Sequence, residues 1–129
     1  MMNDFDITAI EDEVRTILKN IGVSQKIYSN RPKATDTAND FVVAMVSGEV
    51  QDKQAYGECM FSVYLFAKDI DNVKNGKKLS VMYQKFRKGF PASSGRLLFD
   101  VLPTIGRDTP DDYGYHRRQI RIHITIKAI

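Results

Sequence analysis

The chain has a single cysteine, Cys59, among 129 residues, which rules out an intramolecular disulfide and suits a reducing compartment. It also lacks a long apolar run. Its longest stretches, such as Phe41 to Val46, fall far short of the roughly 20 residues a membrane helix needs, so no membrane partner is expected. The opening Met1-Met2-Asn3-Asp4-Phe5-Asp6 is acidic, with no basic stretch leading into an apolar one, unlike a secretory signal. Neither sign of charge dominates. The 19 basic and 16 acidic residues leave +3, too little on its own to mark a nucleic-acid protein. What is present is ordinary globular material, 43% hydrophobic and 27% charged. A chain of this length fits one domain, 1–129, that buries roughly two-thirds of its unfolded surface and needs no cofactor to fold.

Ile7, Ile10, Val14, Ile17, Leu18 and Ile21 recur at the spacing of one helical face. Asp4 or Asp6 is placed to cap that helix, acidic residues crowd its first turns, and Gly22 supplies a left-handed stop. Gln25 to Ser29 reads as a short strand and Asn30 to Asp40 as a long polar loop. Phe41 to Val50 and Tyr56 to Ala67 read as adjacent antiparallel strands, joined hairpin-fashion through Gly48, Asp52 and Lys53. Alternation puts Cys59, Phe61, Val63, Leu65 and Ala67 on one face of the second strand and Glu58, Met60, Ser62, Tyr64 and Phe66 on the other. The first strand divides likewise into Phe41, Val43, Met45 and Val42, Ala44, Val46. Both faces carry apolar bulk, so the second face is expected to be partly covered, for which another subunit is a candidate.

After the breaker Asn75-Gly76, the residues Leu79, Met82, Tyr83, Phe86 and Phe90 form a second helical stripe that Gly89 and Pro91 end. Arg96 to Leu102 reads as a strand and Pro103 to Gly114 as a turn-rich loop. From Tyr115 to Ile129, Ile120, Ile122, Ile124 and Ile126 alternate with polar residues in a strict period of two. The expected class is α+β: a largely antiparallel sheet with two helices packed on one face, in the order α-β-β-β-α-β-β.

Catalytic and metal-binding patterns fail on named requirements. His116 and His123 lie an odd number of positions apart on one predicted strand, so their side chains face opposite ways. With Cys59 on an apolar strand face, all three read as core or surface residues, and no zinc spacing is present. Asp108, Asp111 and Asp112 lack the ligand register of an EF-hand and read by default as an acidic turn with local side-chain to backbone bonds, with an ion or a basic partner as alternatives. Gly89 and Gly95 flank a loop that follows a helix, where a phosphate-binding loop would precede one. Ser93 and Ser94 sit in no nucleophile elbow. The chain is expected to be non-enzymatic, with no catalytic, cofactor or metal residues. Lys74, Lys77, Lys78, Lys85, Arg87 and Lys88 surround the second helix. They read by default as a solvated face, with an acidic partner or a nucleic-acid backbone as alternatives. Arg117, Arg118 and Arg121 form a second basic cluster.

The element order, with Tyr28-Ser29-Asn30-Arg31-Pro32 after the first helix and Asp111-Asp112-Tyr113-Gly114-Tyr115-His116 before the last strand, resembles phage tail-terminator and tail-completion proteins related to minor tail protein U. That resemblance implies a structural protein of a phage or prophage, assembled in the host cytoplasm and ending in the virion tail. It implies homo-oligomeric rings, commonly hexameric, that cap the tail tube and meet tail-tube and head–tail connector proteins, with nucleic acid at most an incidental partner. The interface candidates are then Met45, Met60, Tyr64 and Phe66 on the second sheet face and Arg31 and Asp36 in the polar loop. Asp111 and Asp112 in the late loop and Arg117 and Arg121 on the last strand complete the set. The alternative is a small intracellular nucleic-acid or protein-binding module that uses the basic face of the second helix.

Overall fold

In a computed structural model that describes residues 6–28, 39–53, 56–90, 92–94, 97–111 and 113–127, the first helical stripe becomes α1 (Ile7–Asn20). Asp6 caps it, its carboxylate accepting from the Thr8 amide at 3.0 Å; Asp4 lies outside the described residues. The first turn itself holds no acid; Glu11, Asp12 and Glu13 come one turn later. Gly22 ends the helix at φ +76°. There its N–H reaches the Lys19 carbonyl at 3.2 Å and that of Val23 the Leu18 carbonyl at 3.4 Å, the paired bonds of a Schellman stop. Helix α2 (Gly76–Gly89) starts at Asn75, whose side-chain oxygen accepts from the Lys78 amide at 3.2 Å.

The strands are β1 (Ile27–Tyr28), β2 (Asp40–Val46), β3 (Gln51–Asp52), β4 (Tyr56–Lys68), β5 (Ala92–Ser94), β6 (Leu97–Ile105), β7 (Thr109–Pro110) and β8 (Tyr115–Lys127). They form one sheet in the order β1-β2-β4-β8-β6-β5, with β3 on β4 and β7 on β8. Every pairing is antiparallel except β1 with β2. The fold is α+β in the expected order, with β3, β5 and β7 as short additions.

The first strand begins two residues later than expected, and two other strand limits differ further. The strand expected over 41–50 stops at Val46, because Gly48 at φ +113° turns the chain. Val46 pairs with Phe61 and Gln51 with Glu58, so β2 and β3 line the same edge of β4 on either side of a bulge. The reversal comes only at Lys53, whose N–H bonds the Tyr56 carbonyl at 2.7 Å. Strand β6 runs past Pro103, where a loop is expected. Its register with β8 shifts between Val101 and Ile105, and a bulge there accommodates a residue that has no N–H for the ladder.

Both helices pack on one face of the sheet. Ile10, Val14 and Leu18 of α1 and Leu79, Met82 and Phe86 of α2 are buried against Val42 and Ala44, alternate residues of β4 from Cys59 to Ala67, and Ile120, Ile122, Ile124 and Ile126. Each fully buried side chain of this size contributes about 1.5–3 kcal/mol of transfer free energy. Helix α1 also closes the edge of β2 that the two-residue β1 leaves. The Val46 amide donates to Glu11 Oε2 at 2.9 Å, and the Ala44 carbonyl accepts from Arg15 Nη1 at 3.2 Å. Side chains here stand in for a neighbouring strand.

Candidate functional site

With the helices on one side, the opposite face of the sheet decides what the molecule presents to others. Its register sets Phe66 beside Phe41 and Arg117, Tyr64 beside Val43 and Gln119, Ser62 beside Met45 and Arg121, and Met60 beside His123. One end of this face is a second core. Phe41, Val43, Phe66 and Tyr115 are buried there, with Tyr28, Met45 and Tyr64 packed around them. Phe41 stacks on Phe66 with centroids 4.5 Å apart, and Tyr115 meets Phe41 edge-on at 5.2 Å, arrangements that aromatic quadrupoles favour. Phe66, an interface candidate by sequence, is therefore corrected to a core residue. The chain leaves it only 2% exposed, because its own aromatic neighbours cover it.

Met45, Met60 and Tyr64 remain half-buried. Beside them β8 contributes a polar row. Arg117 lies with Cζ 5.2 Å from the Tyr64 ring centroid and donates from Nε to Thr109 Oγ1 at 3.3 Å, a cation over an electron-rich face. Gln119 donates to Ser62 Oγ at 3.3 Å and Tyr64 Oη at 3.4 Å. Arg121 is exposed and makes no ion pair among the described residues. His123 Nε2 meets Glu58 Oε2 at 3.2 Å, and Lys53 reaches the same carboxylate at 3.7 Å. The result is a patch of two methionines and a tyrosine flanked by arginines. Arg31, Asp36 and Asp112 lie outside the described residues.

The two histidines do not converge. His116 faces the helical side and meets Asp69 at 2.7 Å, while His123 faces the other, as their odd spacing requires. Asp111 Oδ1 accepts from the amides of Tyr113 at 2.8 Å and Tyr115 at 3.1 Å, the local turn bonding expected of it. Asp108 does something else. It grips the Arg118 guanidinium through both oxygens, at 2.7 and 3.0 Å, and takes Lys74 at 3.2 Å. The Arg118 hydrogen bond, aided by Lys74 and opposed by burial, holds its carboxyl below the usual carboxylate range. Cys59 lies in the main core, where burial pushes its thiol up to about 11, far from the thiolate a nucleophile needs. Among the described residues no three His, Cys, Asp or Glu side chains gather as metal ligands.

Sequence reasoning missed Glu11 and Arg15 at the β2 edge and the Asp108–Arg118 clamp. An acid in the late loop opposite a basic run in the last strand was the only signal for the clamp. No signal marks a helix side chain that bonds a strand edge.

No family model and no curated protein matches the chain. Fifteen chains of known structure do match it. One of these superposes with a TM-score of 0.57 at 15% identity, covering 95% of this chain and 93% of its own. At that identity the likeness establishes a shared fold over nearly the whole length of both chains.

Proposed function

We propose that this chain is a non-catalytic structural component of a phage or prophage tail, acting by ring-like self-assembly in a tail-terminator, tail-completion or head–tail joining role. The observation that carries the reading is the sheet face opposite the helices, where Met45, Met60 and Tyr64 stay half-buried beside Arg117 and Arg121. Flexible methionines and an aromatic flanked by arginines suit a protein contact, because such residues are enriched in interface cores. A contact between this face and a different surface of the next copy is heterologous, and it closes into a ring when the rotation permits. The same reading gives tail-tube and connector proteins as partners, and the resemblance carried by residues 28–32 and 111–116 supports it.

Light scattering behind size-exclusion chromatography tests the proposal. The expected result is a discrete, concentration-dependent oligomer whose contacts bury more than about 1,000 Å² in total, reduced to monomer by Met45→Glu with Met60→Glu. A wild-type chain that stays monomeric at every concentration would sink it.

A further inference from the structure

Residues 74–88 contain six cations and no acid, whereas the whole chain carries +3. The rest of the protein is therefore net negative by three charges, and its positive charge is a property of this one segment. Two of the six are neutralised within the fold, Lys74 by Asp108 at 3.2 Å and Lys78 by Asp40 at 3.0 Å. Lys77, Lys85, Arg87 and Lys88 are exposed and make no ion pair among the described residues.

Three of these four share one surface. Lys77, Ser80, Val81, Gln84, Lys85 and Lys88 line a shallow hollow along α2, on the side turned away from buried Leu79, Met82 and Phe86. Lys85 also borders a second hollow at the end of α1, whose rim includes Lys26 and the paired Lys78 and Asp40. From Lys77 to Lys88 the helix rises about 16 Å. Along that rise Lys77 stands about 12 Å from Lys85, and Lys85, Arg87 and Lys88 crowd into about 4.5 Å, a clustering of unpaired cations that suits a polyanion whose phosphates recur about every 3.4 Å along each strand.

We infer that the outward face of α2 docks the phosphate backbone of double-stranded nucleic acid without regard to sequence. The alternatives fit the residues less well. A protein-binding core is depleted in lysine and anchors on buried aromatics or arginine, yet the only apolar side chain on this strip is Val81. A single strand needs exposed aromatics to stack on. Both aromatics of α2 turn inward: Phe86 is buried and stacked on Phe90 at 4.5 Å, and half-buried Tyr83 lies beneath the Arg118 guanidinium at 5.9 Å. Lysines, an arginine, a serine and a glutamine are the side chains that bond phosphate oxygens. The strip lies on the helical side of the sheet and the proposed ring contact on the other, so neither idea depends on the other.

Fluorescence anisotropy of a labelled mixed-sequence DNA duplex, titrated with the full chain over a range of salt, reads the inference directly. The expected log–log salt slope is about −2.7 to −3.6, for three to four phosphates neutralised, and equal for two unrelated sequences. Lys77→Glu with Lys85→Glu and Lys88→Glu weakens binding on the order of 100-fold at low salt. Glutamine at the same positions gives a smaller loss, with the circular dichroism spectrum unchanged in both variants. A charge-matched control, Lys19→Glu with Lys68→Glu and Arg107→Glu, keeps most of the affinity. Equal loss in that control would make the binding a diffuse net-charge effect and overturn the inference. So would poly-glutamate competing as well as DNA, which would assign the strip to an acidic protein, or the absence of salt-dependent binding.

Discussion

Asp108 leaves 6% of its side chain exposed between two cations, and that placement makes its ionisation a term in stability. A carboxyl whose folded-state pKa lies below its unfolded value stabilises the fold at every pH above the unfolded value. The contribution is lost as pH falls through the lowered one. For Asp108 the loss sets in below about 3.8. Asp108→Asn removes the charge from the Arg118–Lys74 clamp and is expected to cost about 2–3 kcal/mol at neutral pH, under the usual 3–5 for a fully buried pair. The discount reflects Arg118, whose side chain keeps 18% exposure. Urea unfolding at descending pH provides the measurement: the gap between wild type and variant should narrow below 3.8 as the wild-type carboxyl takes up its proton. A gap that stays constant would mean that shape, and not charge, holds the clamp. Sequence alone groups Asp108 with Asp111, since residue type is shared and local spacing is short. What separates them is which way each side chain turns, toward Arg118 and Lys74 or back onto its own backbone, and that is settled by the packed sheet.

Helices α1 and α2 touch where each ends, and Gly89 is the residue that permits it. A Cβ at Gly89 would lie 2.6 Å from Ile21 Cδ1 and 2.8 Å from Ile21 Cγ2, so the whole Ile21 side chain would have to move. Alanine in place of glycine in a helix ordinarily gains about 0.5–1 kcal/mol, whereas forcing atoms into a packed contact costs about 1–3. The second effect wins here. Gly89→Ala is expected to lower stability by about 1 kcal/mol, and pairing it with Ile21→Ala should make the two changes non-additive in a double-mutant cycle. Additive losses would show that the helix ends do not meet in solution. Both helices are legible in the sequence because their stripes, caps and stops are local signals: Asp6, Gly22 and Asn75 each act within four residues. Strand ends are less so. Residues 47–50 and 103–105 acquire their state from β4 and β8, two strands of 13 residues each that serve as templates across bulges. No local pattern announces the register of a partner.

At the scale of the whole molecule, the sheet divides two kinds of surface: helices, main core and the basic strip on one side, and an aromatic second core beside a methionine patch on the other. The alternation in β2 and β4 makes both apolar faces legible, and it places Met45, Met60, Tyr64 and Phe66 together. It leaves open which of the four the fold keeps for itself, because that depends on Phe41, Tyr28 and Tyr115, which reach the same corner from β2, β1 and β8. The two roles separate by experiment. Phe66→Ala opens a cavity beneath the stacked Phe41 ring and is expected to cost about 3–5 kcal/mol, visible in the unfolding midpoint of a sample too dilute to associate. Met60→Ser, at a half-buried position outside that cluster, should change monomer stability by less than about 1 kcal/mol while shifting the mass distribution toward monomer. If Met60→Ser instead destabilised the dilute monomer as much as Phe66→Ala, the methionine patch would belong to the fold, and a neighbouring copy would have to be sought on another face.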